Sequence, residues 1–215
     1  MIIKYLGHSA FLVDVGKKLL FDPWLSGNPW VKEPVEVKPD YIFVSHSHSD
    51  HGLEDAIKIS QKTYAPIISI FELANYAKQR GAKAIGGNIG GIMKIDELDV
   101  FLTPALHSSS LGSPVGFIVK YNGKTLYHAG DTGYFAEMRF LGERFSIDVA
   151  FLPIGSTFTM GIDECLFAIR DLKPRFVVPM HYNTFPAIKA EPQKLKERVE
   201  NTVIINPGEE VKLEI

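Results

Sequence analysis

Residues 41–52 read YIFVSHSHSDHG: four apolar positions run straight into three histidines and an aspartate, and a glycine follows. The apolar half has the character of a buried strand, and helical periodicity begins just after the glycine. The polar half is therefore a loop at a strand's carboxyl end, where α/β folds commonly place their chemistry. Side chains two apart on an extended segment project the same way, so His46 and His48 can grip one ion together. Asp50 and His51 come as the chain turns into the helix and aim at a second point nearby. The intervening serines are small enough for four ligands to converge. A solvated histidine-rich loop is the plain alternative, but the segment is internal and follows a buried strand.

Further candidates lie downstream, each just after an apolar run: His107 in VFLTPALH, Asp131 in TLYHAGD and His181 in FVVPMH. Loops that follow several strands can meet at one rim of the sheets. The combined inventory exceeds the three or four protein ligands of a single tetrahedral zinc. Two divalent ions sharing a carboxylate suit it better. The donors are imidazole and carboxylate without cysteine, so the ions are expected to be zinc first, with manganese, iron or nickel as alternatives.

Around this set the chain alternates short strands and helices. Strands are expected at Ile2–Leu6, Phe11–Val15, Lys18–Phe21, Tyr41–Val44, Leu98–Thr103, Val115–Tyr121, Thr125–Tyr127, Val149–Leu152, Phe176–Val178 and Thr202–Ile205. Helices are expected at Leu53–Ser60, Ile70–Arg80, Tyr134–Leu141, Asp163–Leu172 and Pro186–Val199. YNGK at Tyr121–Lys124 signals a tight hairpin, and the glycines of IGGNIGGIM read as tight turns and not a phosphate cradle. Without a linker or repeat, 215 residues fit one α/β domain of two stacked sheets with helices outside.

Composition narrows the partners. With 23 basic and 25 acidic residues the net charge is −2, which advertises neither nucleic acid nor an anionic membrane. No apolar stretch approaches the roughly 20 residues of a spanning helix, and the start lacks the apolar block of a signal peptide. One cysteine, Cys165, excludes an internal disulfide and reads as a core thiol, so a cytoplasmic address is expected. The expected partner is a small-molecule substrate, and a homo-oligomer is compatible with the chain.

The ordered set His46, His48, Asp50, His51, His107, Asp131 and His181 resembles the signature of the metallo-β-lactamase superfamily along the whole chain. Asp22, in LLFDPWLSGNP, matches that family's earlier aspartate, which typically orients the ligand loop. YLGHSAFLV, FDPWLSGNP, YHAGDTG, PIGSTFTMG and PMHYNTFP are similar to the branch of L-ascorbate-6-phosphate lactonase-like metal-dependent hydrolases. The resemblance implies a single-domain αββα four-layer sandwich over residues 1–215, with its site at one edge between the sheets. It implies a first metal on His46, His48 and His107, a second on Asp50, His51 and His181, and Asp131 as the bridge. That lactonase is larger, so its substrate does not carry over. The antibiotic-hydrolysing members are usually secreted and often replace one of the aspartates; the intact set here speaks against that activity.

A water held between two cations is available as hydroxide near neutral pH. The expected chemistry is hydrolysis of an ester, lactone or phosphodiester, with Asp50 and Asp131 as catalytic carboxylates and Asp50 placed to handle protons. A nucleic-acid phosphodiesterase and a metal-dependent sensor without turnover are the competing readings. Around the ligands, His8 either lines the pocket or is a hydrogen-bonded structural histidine, and is not expected to touch metal. His128 either holds a metal-bound group by a hydrogen bond or is an ordinary strand histidine. Tyr182 and Asn183 either donate to a substrate oxygen or form a turn in which Asn183 caps the following helix. Trp24 and Trp30 either rim the pocket or pack, and the serines of HSSSLGSPVGF either leave room for substrate or form a polar turn.

Overall fold

Alternating apolar and polar positions build an amino-terminal meander. In the computed structural model, which describes residues 1–32 and 35–215, β1 (Ile2–Gly7), β2 (Ala10–Asp14) and β3 (Lys18–Phe21) pair antiparallel in turn. Ile3, Tyr5, Phe11, Val13, Leu19 and Phe21 are buried from it. Beyond β3 the sheet grows in parallel through β4 (Tyr41–Phe43), β5 (Ile67–Ile70) and β6 (Ala84–Gly87). Parallel neighbours need crossovers, which α1 (Leu53–Thr63) and α2 (Phe71–Gln79) supply. The second sheet begins with β7 (Ile92–Ile95), β8 (Leu98–Pro104), β9 (Val115–Tyr121) and β10 (Lys124–His128), all antiparallel. It ends in parallel β11 (Val149–Pro153) and β12 (Phe176–Met180). α3 (Met138–Arg144) precedes β11, α4 (Ile162–Leu172) joins β11 to β12, and α5 (Pro192–Arg198) follows. β13 (Glu210–Lys212) returns to pair with β1, giving sheet orders β13-β1-β2-β3-β4-β5-β6 and β12-β11-β10-β9-β8-β7.

Aromatic rings show that the two sheets face each other. Phe11, Phe21 and Phe43 of the first sheet meet Phe151 and Phe117 of the second, with centroids 4.6 Å apart for Phe11–Phe151 and 5.3 Å for Phe43–Phe117. Each such side chain contributes about 1.5–3 kcal/mol by leaving water. This is the expected mixed α/β, two-sheet, single-domain fold.

Several elements depart from the sequence expectations. β5, β6, β7 and β13 are additional strands. Gly86 and Gly87 lie in β6 and not in a turn; a Cβ on Gly86 would stand 3.0 Å from the Phe71 Cα, so the glycine admits α2. Thr202–Ile205 is not a strand and makes only a single bridge, Thr202 to Val177. The helix expected over Pro186–Val199 is a 3₁₀ turn at Pro186–Ile188 followed by α5, which restarts at Pro192, a residue with no N–H to continue the earlier turn. The helix expected at Tyr134–Leu141 lies later, at Met138–Arg144. The YNGK hairpin is as read: Asn122 and Gly123 have φ of 47° and 74°, and Tyr121 pairs with Lys124.

The carboxyl ends of β1, β3, β4, β8, β10 and β12 lead to His8, Asp22, the histidine-rich loop, His107, Asp131 and His181. Six strands thus deliver one polar residue set to one edge of the sandwich.

Candidate metal centre

The histidine-rich loop leaves β4, makes a 3₁₀ turn over Ser49–His51 and enters α1 through Gly52. Gly52 has φ of +70°, and a Cβ there would fall 2.2 Å from the Pro23 carbonyl carbon and the Trp24 nitrogen. Only glycine lets the chain turn against that backbone. On the near side of the turn, His46 Nε2 lies 2.9 Å from His48 Nδ1, which is 3.2 Å from His107 Nε2. Ser45 Oγ donates to Asp22 (2.7 Å) and so accepts from His46 Nδ1 (2.9 Å), which turns the His46 Nε2 lone pair toward the other two rings. Burial holds the His46 imidazole well below its ordinary value, with the His51 charge adding, and burial also lowers His107. Both are neutral donors at neutral pH.

Beyond the turn, His51 is completely buried between two carboxylates. Its Nδ1 donates to Asp22 Oδ2 at 2.8 Å, and its Nε2 faces Asp131 Oδ2 at 3.2 Å. Burial alone would lower its pKa, but Asp131 and Asp22 together raise it well above the ordinary value. Asp131 Oδ2 also stands 3.0 Å from His181 Nε2, 3.6 Å from His107 Nε2 and 4.0 Å from His46 Nε2. One oxygen thus sits among four imidazole nitrogens drawn from both sides of the turn. Burial would raise the Asp131 carboxyl, yet His51 and His181 hold it well below the carboxylate range. The Asp50 carboxyl is likewise held low: burial opposes ionisation, and His8 and His51 outweigh it.

Asp22 anchors this arrangement. Its Oδ1 accepts from the Ser45 N–H at 2.7 Å and its Oδ2 from the Ser45 hydroxyl at 2.7 Å, in addition to His51. A carboxylate on the remote nitrogen of an imidazole fixes its tautomer and its aim. His128 lies behind it, stacked on Phe21 at 5.0 Å; it accepts from the Gly130 N–H at Nδ1 and donates from Nε2 to the Ser9 carbonyl. Burial lowers its pKa, so it is a neutral brace under the site.

The residues fit a metal ion. His8 Nε2, His51 Nε2, His181 Nδ1 and Asp131 Oδ1 are buried without hydrogen-bond partners, an arrangement native proteins tolerate only where something satisfies it. Among the described residues, the donor atoms of three overlapping groups each lie within 4.8 Å of one another: His46, His48 and His107; His46, His51 and Asp131; and His8, Asp50, His51 and His181. Nitrogen and carboxylate oxygen donors suit divalent first-row ions.

A family model described as the β-lactamase superfamily domain matches residues 2–181. The chain is 48% identical to a UPF0173 metal-dependent hydrolase of Staphylothermus marinus, over 97% of each chain. It is 44% identical to one of Korarchaeum cryptofilum, over 98% of this chain and 99% of that one. The chain belongs to the UPF0173 metal-dependent hydrolase family of the metallo-β-lactamase superfamily. Its fold matches that of Igni18, a metallo hydrolase from Ignicoccus hospitalis, with a TM-score of 0.94 and 44% identity over 100% of this chain and 98% of the other.

In this member of the superfamily the structure gathers His46, His48, Asp50, His51, His107, Asp131 and His181 at one place, with Asp22 and His128 behind them. His8 lies inside the same cluster. Tyr182 and Asn183 turn away from it. The Tyr182 ring meets Trp30 edge-on at 5.8 Å, and exposed Asn183 accepts the Ala190 N–H at 2.9 Å, so it braces the loop without capping the turn at Pro186. Trp24 stacks on Phe185 at 5.8 Å beside His8, whereas Trp30 packs against Tyr5 and Tyr182. Ser109 and Ser110 bond Ser47 at 3.0 Å each and tie their loop to the histidine-rich one. Two residues of consequence went unmarked in the sequence. Ser45 links Asp22 to His46, and Thr184 holds His8 Nδ1 at 2.9 Å. Neither has a signature beyond a hydroxyl near a histidine. No helix among the described residues is long and apolar enough to cross a membrane.

Proposed function

We propose that this chain hydrolyses an ester, lactone or phosphodiester bond of a small molecule, using two divalent ions held by the His/Asp cluster, zinc first among them. The observation that carries the reading is Asp131 Oδ2, within 3.0–4.0 Å of four imidazole nitrogens from both sides of the loop turn. His46, His48 and His107 would hold one ion, Asp50, His51 and His181 the other, with Asp131 between them. Bound there, such ions supply a water of lowered pKa and polarise the oxygen on which charge develops.

The chain's own groups supply the remainder. Asp131 offsets charge in the buried centre, and Asp22 keeps a proton on His51 Nδ1 so that Nε2 faces inward. The Asp50 side chain is 23% exposed, enough to take up and release a proton at the solvent side. A cleft of about 580 Å³ abuts His48, with Trp24, Leu53 and Leu111 as apolar walls and Ser47 and Ser110 as hydroxyl donors. That mixture suits a small organic ester better than a polyanion, in keeping with the net charge of −2. The motifs YLGHSAFLV and YHAGDTG support a lactonase-like branch. The single buried cysteine supports a cytoplasmic setting.

The test is metal analysis of the purified protein, followed by turnover of a panel of lactones, phosphodiesters and thioesters with His48→Ala as control. The expected result is two equivalents of metal and turnover that chelation and His48→Ala both abolish. Full turnover after complete metal removal overturns the proposal; stoichiometric metal with no turnover favours a sensor.

A further inference from the structure

His8 opens the β1–β2 connection with φ of 59°, outside the conformations most residues adopt. Its carbonyl accepts from the His181 N–H and from the Tyr5 hydroxyl, each at 2.9 Å, which ties the end of β1 to the end of β12. The ring is wholly buried and lies 4.2 Å from the His181 ring, centroid to centroid.

Each ring nitrogen of His8 faces one polar side chain, Thr184 at Nδ1 and Asp50 at Nε2. Thr184 Oγ1 stands 2.9 Å from His8 Nδ1 and 3.4 Å from the Tyr182 carbonyl; when its hydroxyl hydrogen goes to that carbonyl, it accepts from Nδ1. In that tautomer Nε2 carries a lone pair, and the atom is buried without a well-aligned hydrogen-bond partner. What it faces is Asp50 Oδ2, 3.2 Å away. Two atoms can stand this close through a proton on Nε2 or, with the ring proton on Nδ1, through a cation held between them. Donors about 2.1 Å from a shared ion stand about 3.0 Å apart in octahedral and about 3.4 Å in tetrahedral coordination. The separation of 3.2 Å falls between those values, and His51 and His181 offer donors within 4.8 Å of both atoms.

We propose that His8 Nε2 is a direct ligand of the ion held by Asp50, His51 and His181, a fourth residue beside the shared Asp131. The proposal rests on the metal-centre reading above and assigns His8 more than a lining role. It makes the two positions unequal. Of the residues on the first ion His48 borders the cleft, whereas of His8, Asp50, His51 and His181 only Asp50 reaches solvent, so the ion completed by His8 is expected to be the more tightly retained of the two.

The test strips the protein with a chelator and titrates it with Co(II), following visible absorption and calorimetry. Wild type should take up two equivalents. His8→Asn, chosen because asparagine tolerates positive φ, should bind one equivalent as before and the other at least tenfold more weakly, with a changed absorption band. Thermal melting of the stripped variant checks its fold. Crystals of wild type grown with Zn(II) read the ligand directly and need no variant: Nε2 should lie about 2.1 Å from one ion. Unaltered affinity and spectrum in His8→Asn, or an ion on Asp50, His51 and His181 with Nε2 more than about 3 Å away, overturns the assignment to His8 alone. No metal uptake by wild type overturns this proposal and the metal-centre reading together.

Discussion

The two halves of the centre are made of similar residues and held in opposite ways. His46, His48 and His107 form a group whose rings reach toward one another, with His48 and His107 partly exposed beside a cleft. His51 and His181 are buried, and the atoms that fix them are carboxylates and strained backbone: Asp22 behind His51, and the His8 carbonyl on the N–H of His181, whose own φ is 52°. In the open group a serine hydroxyl aims His46, whereas the buried pair is held by Asp22 on His51 and by the His8 carbonyl, which links the two sheets at His181. Access and rigidity have been separated within about one loop's length. A centre that must admit a substrate at one side can keep its other side fixed, because preorganised groups need no rearrangement during reaction.

Asp131 is where the halves meet, so changing it should have the largest effect. Asp131→Ala removes the oxygen shared by four imidazoles and leaves their inward faces without an anion. Turnover is expected to fall on the order of 10³-fold, several kcal/mol of lost electrostatic stabilisation, with at least one equivalent of metal lost. Retention of full metal content and full turnover by the variant would break the bridge reading. The next effect falls on the buried half. Asp22→Asn puts an amide NH₂ where the carboxylate accepts three donors, two from Ser45 and one from His51. A buried donor left facing another costs about 1–3 kcal/mol, and metal affinity should drop 10- to 100-fold as His51 loses its tautomer. Metal titration beside a denaturant melt separates the two losses; an unchanged affinity would mean that Asp22 does not aim His51.

Much of this was legible in the chain because each ligand follows an apolar strand run, and a strand's carboxyl end is a fixed place in the fold. The histidine spacing in SHSHSDH gave two aims from one loop, and the 3₁₀ turn at Ser49–His51 supplies the change of direction. Chain adjacency misled where the backbone reverses. Tyr182 and Asn183 follow His181 directly, but positive φ at His181 and at Asn183 carries them to Trp30 and Ala190. β5 was hidden because PIISIFELANY runs apolar from strand into helix without a break, and β13 because three edge residues, largely exposed, have no period to read. His8 is set by long-range partners: Thr184 is 176 positions away, and no local pattern announces the contact.

Ser45→Ala sharpens the same comparison on the open side. It deletes the hydroxyl that takes the His46 Nδ1 proton, while Asp22 keeps its bond to His51. The expected loss of affinity is about tenfold, the low end for such partners, and it should fall on the equivalent bound by His46, His48 and His107. A loss confined to the other equivalent would contradict the separation of the two halves.

The smallest effect belongs to a residue outside both groups. Cys165 is fully buried on α4, and burial pushes its thiol far above the ordinary range. Cys165→Ala leaves a small void and should cost about 1 kcal/mol, lowering the melting temperature by roughly 2–4 °C in a chain of this size. Both metal equivalents should bind as in wild type, and the native thiol should resist iodoacetamide until the protein unfolds. This variant calibrates the others. If a loss of general stability confined to the core weakened metal binding as much as Ser45→Ala does, the effects of Ser45 and Asp22 could not be credited to the aim of their histidines. Unchanged binding in Cys165→Ala assigns those losses to hydrogen bonds at the ligands themselves.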